Sequence, residues 1–391
     1  MNNSIAKEKI VSLRKKRSLE DMRFKYYGFT AMCLSLAVLV FLLYTIFSKG
    51  YTAFQKTIVL LEVDYNQEVL KLTPDSSDED MEKGKFFRVK KQAIENFFPD
   101  LSKSDIKLVK KLFSINVDKE IKDYFLDNPE VINTKQQIWV TAHSDVDQLL
   151  KGNSRRDVPE DRRKLNDIQL SYVDQLVEEN RVKQVFNNFF FTKADSRHPE
   201  IAGVAGSFMG SLFTLFTVFI LSFPIAIGAS VYLEEFAPKN RITELIEVNI
   251  SNLAAVPSIV FGLLGLGVLL NVFGLPRSTP LVGGSVLALM TLPTIIIACR
   301  ASLKAVPPSI KEGALAVGAT KTQAVFHHVV PLALPGTLTG TIIGLAQALG
   351  ETAPLIMIGM IAFIPNIPTG LTEPSAAVSY THLRAHETYP H

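Results

Sequence analysis

The sequence predicts an all-α membrane protein, a bundle of transmembrane helices with an α+β domain inserted between the first and second spans. Four stretches of at least 20 residues contain no Asp, Glu, Lys or Arg, and a charged segment at 49–200 separates the first stretch from the others. About 20 apolar residues cross the hydrocarbon core as a helix, whereas helices of soluble proteins rarely run that long without a charge. The charge-free stretches are Tyr26–Ser48, Ile201–Leu233, Val248–Pro276 and Ser278–Cys299.

These stretches and one further apolar run predict five spans. We expect the first transmembrane helix at 26–48 and the others near 203–233, 249–272, 281–300 and 336–360. The fifth run contains a single acid, Glu351. The first stretch is longer than a signal-peptide core and lacks a small-x-small cleavage site, so we expect it to remain as an uncleaved anchor.

Charge in the flanking segments predicts the orientation. Residues 1–25 carry eight Lys or Arg against three acids. Because basic flanks stay in the cytoplasm, we expect a cytoplasmic N-terminus, an outer segment at 49–200 and spans that alternate in direction. The short loops that then face the cytoplasm carry Lys239, Arg241, Lys304, Lys311 and Lys321.

The outer segment, residues 49–200, is typical of a small α+β domain. Thr57–Val63 and Gln137–Ala142 have the composition of strands. One face of a long helix ending near Phe190 is predicted by Leu165, Ile168, Tyr172 and Leu176. The segment contains no catalytic constellation, and its role is not legible from its residues.

Composition excludes several classes of protein. The net charge of +3 is too small to indicate nucleic-acid binding. The two cysteines, Cys33 and Cys299, fall inside predicted spans, which argues against a disulfide framework. A membrane sensor would continue from its second span into a soluble signalling domain. This chain re-enters the membrane at least three more times, which favours transport, with a sensor or channel as a distant alternative.

Small residues recur every four positions in two of the predicted spans. Such rows let helix backbones approach closely in lipid. We therefore predict helix-packing faces at Ala202, Gly206 and Gly210 in the second span and at Gly336, Gly340 and Gly344 in the fifth.

The cytoplasmic loop at 301–335 predicts a compact helix-turn-helix. Ser309 and Glu312 form an S-x-x-E capping box, and Gly318 is placed to end that helix in a left-handed conformation. A second box begins at Thr320, and Pro331 and Pro335 are expected to break the second helix before the last span. The first helix presents small residues, including Gly313 and Ala314, that allow another protein to dock closely.

This loop resembles the EAA loop of ABC importer permeases. The resemblance rests on Glu312-Gly313-Ala314, on Gly318 four residues later and on Pro331; this chain has Gly313, His328 and Val330 where the family has Ala, Ile and Leu. It implies a type I ABC importer (MetI-like) helix bundle with its permease core at 201–377. The coupling residues it implies, which face a cleft of the ATPase subunit, are Ser309, Glu312, Gly313, Ala314, Gly318 and Pro331.

The resemblance also implies a transport subunit rather than an enzyme. The sequence contains no G-x-x-x-x-G-K-[ST] motif. ATP and Mg are therefore expected on a partner ATPase, with no cofactor in this chain.

Three segments are similar to the PstA-type phosphate ABC transporter permease. They are residues 232–241 (YLEEFAPKNR), 247–258 (EVNISNLAAVPS) and 348–355 (ALGETAPL). The similarity implies translocation of inorganic phosphate across the bacterial inner (cytoplasmic) membrane. It implies as partners a second permease of PstC type, an ATPase dimer of PstB type and a periplasmic phosphate-binding protein of PstS type. The same machine for another oxyanion or small solute is the alternative.

The candidates for the substrate path are Glu351, Thr352, Arg300 and Gln347. A charge inside the membrane costs about 2.5–3.5 kcal/mol, so such residues usually mark a pathway or a pair. A carboxylate repels phosphate, and we expect Glu351 to pair with a base of the partner permease or to gate. Gln347 stands where the family has an arginine, which leaves Arg300 as the remaining basic candidate.

The last residues, 378–391, resemble a translated sequencing-adapter read and are expected to be non-native. The family implies a sixth span that this stretch does not supply. We expect no packing beyond Ala377, and no metal site at His382 and His386 despite their i,i+4 spacing.

Overall fold

The computed structural model describes residues 2–72, 81–98, 102–360 and 363–380. The chain divides into two compact units, Met1–Asn187 and Asn188–His391. From residue 381 onward the predicted tail, with His382 and His386, lies outside the described residues.

The first unit begins with helix α1 (Asn2–Gly50). Its stretch Glu20–Phe54 is long and apolar enough to cross a membrane, and none of its most apolar window is buried by protein. Phe41 and Phe47, for example, are 71% and 70% exposed. An apolar surface of this extent marks a membrane or protein contact, in agreement with the span predicted at 26–48.

A three-stranded antiparallel sheet forms the centre of the rest of this unit. Its strands β1 (Gln55–Asp64), β2 (Lys135–Thr141) and β3 (Val182–Phe186) lie in the order β2-β1-β3. Leu61 pairs with Ile138, and Ile58 pairs with Lys183. The two predicted strands are present, whereas β3 was missed because it is a short edge strand with no buried side chain.

Helices complete the domain and share one core with the sheet. They are α2 (Gln67–Leu70), α3 (Phe86–Phe97), α4 (Lys103–Lys110), α5 (Val117–Asp127), α6 (Ser144–Leu150) and α7 (Asp167–Glu178). Leu61 of β1, Ile94 of α3 and Ile121 of α5 are fully buried together. The Tyr65 hydroxyl, also buried, donates to the Ile121 carbonyl over 2.9 Å, so burial leaves no unpaired polar group there.

The long helix predicted to end near Phe190 is shorter than expected. Helix α7 begins at a capping box formed by Asn166 and Gln169 and ends at Glu178. Asn180 then adopts a left-handed backbone with φ 55°, a conformation that Asn tolerates. The chain turns there and enters β3. Ile168, assigned to the buried face, is 41% exposed.

The second unit is helical. Its helices are α8 (Phe189–Thr192), α9 (Ala205–Val231), α10 (Arg241–Leu253), α11 (Ser258–Leu264), α12 (Pro280–Lys304), α13 (Pro308–Ala316), α14 (Lys321–Ala324), α15 (Val330–Gly350) and α16 (Ala353–Met357). Wider π-helical turns continue α9 over Tyr232–Phe236, continue α11 over Gly265–Val272 and join α14 to α15 over Val325–Val329.

Among the described residues of this unit, three helices are long and apolar enough to cross a membrane: Ala205–Phe236, Pro280–Lys304 and Lys321–Gly350. Arg241–Leu253 and Ser258–Val272 pass the same test only as a pair, and they meet at 104°, the geometry of a broken span or a re-entrant loop. We call this pair the bent span. The single helix predicted at 249–272 is therefore wrong. Pro257 is the residue directly before α11, and its ψ of 136° is not helical. A proline also disfavours the helical conformation in the residue that precedes it.

The fifth span also differs from its predicted bounds of 336–360. It is continuous from Lys321 to Gly350, and the backbone is extended at Glu351 (φ −82°, ψ 123°). Pro331 and Pro335 were expected to break the helix. Pro331 lies in the first turn of α15, and Pro335 lies in its interior. Prolines are tolerated in membrane helices where neighbours, side chains or local π adjustments satisfy the freed carbonyls.

The two rows of small residues meet different partners. In α15, a Cβ built on Gly340 would lie 2.2 Å from the Ala298 Cβ of α12, and one built on Gly336 would lie 2.4 Å from the Ser302 Oγ. A Cβ built on Gly344 would lie 3.1 Å from Ile295, which also belongs to α12. This row brings α15 and α12 into close contact.

The row at the start of α9 does not face a helix. A Cβ on Gly210 would lie 2.2 Å from the Ala376 carbonyl oxygen, and one on Gly206 would lie 3.3 Å from the Ala194 Cβ. Ala202 precedes the helix, which begins at Ala205. The Val378 N–H donates to the Ser211 Oγ over 2.9 Å. The expectation that nothing packs beyond Ala377 is thus wrong at Val378.

We expect Gly340→Ala to lower the melting temperature of the detergent-solubilised protein. The added methyl would collide with Ala298, and overpacking of this kind costs roughly 1–3 kcal/mol. The matched control is Gly228→Ala, in the interior of α9, where a Cβ meets nothing within 4 Å. Equal melting temperatures for the two variants would contradict close packing of α12 and α15.

Candidate coupling helix and its ion-pair network

The segment from Pro308 to Ala324 forms a helical hairpin, which we call the α13–α14 hairpin. The predicted capping box at Ser309 and Glu312 is absent. The N-cap is Pro307 instead of Ser309, so α13 begins two residues earlier than the box implies, at Pro308, without a side-chain cap. Two consecutive prolines explain this, because Pro is favoured at the first helical position and fixes the φ that a helix requires. Ser309 therefore lies inside the first turn.

The turn of the hairpin follows the prediction. Gly318 is left-handed with φ +92°. Its N–H donates to the Leu315 carbonyl over 3.0 Å, and the Ala319 N–H donates to the Ala314 carbonyl over 3.1 Å. This is a Schellman motif. The predicted capping box of Thr320 and Gln323 is also present at the start of α14. Local hydrogen bonds thus fix the turn between the two helices.

The outer face of the hairpin is open. Glu312, Gly313 and Gly318 are exposed, and nothing lies within 4 Å of a Cβ built on either glycine. Ala314, predicted to face a partner, is only 8% exposed and lies on the inner side. Val317, which the sequence reasoning missed, is 86% exposed at the tip. A bulky apolar residue in that position is suited to a protein contact.

An ion pair joins the hairpin to the second span. The Lys311 ammonium group contacts the Glu235 carboxylate, whose side chain is only 10% exposed. Exposed ion pairs contribute roughly 0–1 kcal/mol. A carboxylate this buried loses more of its hydration, so removing Lys311 would leave a costly unpaired charge.

The neighbouring carboxylate binds the end of α12. Glu234 Oε2 lies 3.4 Å from the Arg300 Nε and 3.6 Å from the Lys304 Nζ. The same guanidinium places Nη2 2.8 Å from Glu247 Oε1 on α10. We refer to these residues as the ion-pair network: Glu234, Glu235, Glu247, Arg300, Lys304 and Lys311. Sequence reasoning predicted only Arg300 among them as a site residue.

The π-helical turn Tyr232–Phe236 positions both glutamates. The Ala237 N–H bonds to the Tyr232 carbonyl over 2.7 Å, which closes the wide turn. Consecutive residues on a helix point in different directions, so Glu234 reaches α12 while Glu235 reaches α13. Lys321 of α14 lies over the Phe236 ring, 5.1 Å from its centroid. Apolar packing supports the turn through Val231, Cys299, Leu303, Val325, Val329 and Ala333.

The four substrate-path candidates do not come together. Arg300 lies on α12 between Ala298, which contacts Gly340, and Ser302, which contacts Gly336. Glu351 comes 11 residues after Gly340, just past the end of α15. Along the helix axis this places it about 16 Å from the level of Gly340. Thr352 is half-buried beside Glu351, and Gln347 is exposed. Arg300 already faces two carboxylates, whereas Glu351 lies just past the end of its helix.

A cavity of about 670 Å³ borders Thr352 at this end of α15. Its lining is mostly apolar, with Phe208, Leu212 and Leu215 of α9 on one side and Leu349 on the other. A desolvated anion needs donors of hydrogen bonds or positive charge. The described lining carries the hydroxyl groups of Ser211, Thr352 and Ser379 but no charged side chain.

Two family models match separate parts of the chain. Residues 12–160 match a model described as Domain of unknown function (DUF3333). Residues 223–370, which include α13, α14 and the ion-pair network, match a model described as Binding-protein-dependent transport system inner membrane component.

Curated relatives match slightly less than half of the chain. The Probable ABC transporter permease protein YqgI of Bacillus subtilis is 30% identical over 45% of this chain and 60% of its own length. The Phosphate transport system permease protein PstC of Haemophilus influenzae is 32% identical over 44% and 61%. The Probable phosphate transport system permease protein PstA of Methanocaldococcus jannaschii is 30% identical over 45% and 61%.

The chain thus spans about 60% of the length of these relatives. Relatives named PstA and PstC are equally similar, so the two types are not separated. The predicted resemblance to phosphate ABC permeases is confirmed at this level. Residues 223–370 are therefore similar to the binding-protein-dependent transport system inner membrane components.

Proposed function

We propose that this chain is the permease subunit of an ABC importer that carries inorganic phosphate across the bacterial inner membrane, driven by ATP hydrolysis on a separate subunit. The α13–α14 hairpin carries the proposal. Its left-handed Gly318, its open outer face and its attachment to the second span suit a helix that docks on another protein. Relatives named phosphate transport system permease proteins support the substrate.

The orientation follows from charge. The N-terminus and the hairpin would face the cytoplasm, since both carry an excess of Lys and Arg, whereas the loop around 273–279 carries only Arg277. The α+β domain would then lie in the periplasm. ATP and Mg would bind a PstB-type ATPase dimer docked on Glu312, Gly313, Val317 and Gly318.

The remaining partners follow from the same proposal. A second permease, of whichever Pst type this chain is not, would complete the pathway, and a PstS-type protein would deliver phosphate from the periplasm. Glu351 lies at the other end of α15 from the hairpin, at the edge of the bundle. There it would pair with a base of the second permease or gate the path.

Competition for uptake tests the substrate. In vesicles containing the assembled transporter, excess arsenate should abolish uptake of radiolabelled phosphate, because arsenate has nearly the same size and charge, while sulfate should not. Vesicles lacking this chain are the control. Equal competition by sulfate or molybdate would contradict the phosphate assignment and favour a transporter of another oxyanion.

Gly318→Val should lower uptake and ATPase stimulation while the protein still reaches the membrane. A β-branched residue at φ +92° costs roughly 1–2 kcal/mol or more and would distort the turn between α13 and α14. Gly318→Asn is the matched control, since Asn tolerates the left-handed conformation, and it should retain more activity. If the Val and Asn variants transport equally well, the turn is not required for coupling.

A further inference from the structure

Two contacts of the α13–α14 hairpin converge on one turn of its unit. Lys311 of α13 pairs with Glu235, and Lys321 of α14 lies over the Phe236 ring. Both partners belong to the π-helical turn Tyr232–Phe236 at the end of the second span. Helix α13 also lies against the Val325–Val329 segment, and Ala314 of this helix is buried.

The same turn also binds two other spans. Glu234 pairs with Arg300 and Lys304 at the end of α12, and Arg300 continues to Glu247 on α10. Helix α10 is the first half of the bent span. A chain of charged contacts therefore runs from the hairpin through two adjacent glutamates to α12 and to the bent span.

The burial of these charges argues for a role beyond stability. The side chains of Glu235, Arg300 and Glu234 are 10%, 16% and 20% exposed. Well-packed apolar residues often stabilise such a position as well as a buried ion pair does, whereas ion pairs fix one specific arrangement. The hairpin also has a contact that does not involve Lys311, between α13 and the Val325–Val329 segment.

We propose that the Glu235–Lys311 ion pair passes the movement of the hairpin to the membrane spans. The inference rests on the proposed function, because the movement would come from the ATPase. In this role both residues act through other groups, so they are positioning residues. A displacement of α13 would pull on Glu235, and through the same turn on Glu234, Arg300 and the bent span. Spatial continuity alone does not establish coupling, so the test measures coupling directly.

The experiment uses the complete transporter in proteoliposomes and records phosphate uptake and ATP hydrolysis in the same sample. The variants are Glu235→Lys, Lys311→Glu and the double exchange. We expect each single variant to lower the ratio of uptake to ATP hydrolysis by about fivefold or more, the scale of an allosteric coupling. The double exchange should restore the ratio to within about twofold of the original, because the pair is re-formed with reversed charge.

Lys239→Glu is the matched control, since it reverses an exposed charge in the adjoining loop. It should leave the ratio unchanged. If a charge-reversed variant fails to reach the membrane, Glu235→Gln and Lys311→Met decide the matter in the same assay. An unchanged ratio in the single variants, or no recovery in the double exchange, overturns the proposal.

The assay separates this inference from the proposed function. If the unaltered transporter takes up another oxyanion instead of phosphate, the substrate assignment fails, and the ratio measured with that oxyanion still decides the role of the pair. If the unaltered transporter takes up a solute without hydrolysing ATP, both the proposed function and the coupling role are overturned.

Discussion

The close approach of α12 to its two neighbours determines how the second unit is built. In lipid there is no hydrophobic force between helices, so association depends on van der Waals contact between close backbones. Gly340 and Gly336 of α15 provide this contact on one side of α12. On the other side, Gly284 of α12 leaves room for Thr217 of α9. Accordingly, 61% of the apolar window of α12 is buried, against 28% for α9 and 33% for α15.

Because α12 is fixed in the centre, its last turn brings Arg300 and Lys304 to the end of α9. The six residues of the ion-pair network can then meet at one end of the bundle. On the π-helical turn at this end, Glu234 pairs with α12 and the adjacent Glu235 pairs with α13. The tight packing of small residues and the ion-pair network are therefore parts of one arrangement: the first brings the helix ends together, and the second determines which contacts they make.

Local features of the sequence were enough to predict long apolar helices at 26–48, 203–233 and 281–300, the left-handed Gly318 and the capping box at Thr320. They failed where two local signals compete. The Ser309 box is pre-empted by Pro307 and Pro308, which start the helix earlier. The absence of charge over 248–276 identified an apolar segment, but it does not indicate whether the helix in that segment is straight or bent. The break at Pro257 was therefore missed. Similarly, Pro335 was expected to break a helix that membrane surroundings allow to continue.

The ion-pair network could not be predicted from spacing. Glu234 and Arg300 are 66 residues apart, and Glu235 and Lys311 are 76 apart. Charges flanking a span ordinarily indicate orientation only. Which of them meet depends on the helix packing, and that packing depends on contacts such as the one between Gly340 and Ala298 that no single stretch contains. The segment YLEEF was noted for its family resemblance, but its two carboxylates had no visible partners.

The bend between α10 and α11 accounts for one contact of the network. It turns α10 by 104° relative to Ser258–Val272, so α10 does not continue along the axis of that segment. Helix α10 lies against α12 instead, and there Glu247 Oε1 is 2.8 Å from the Arg300 Nη2. A straight helix would carry Glu247 away from Arg300 along the axis of α11, so this ion pair depends on the bend.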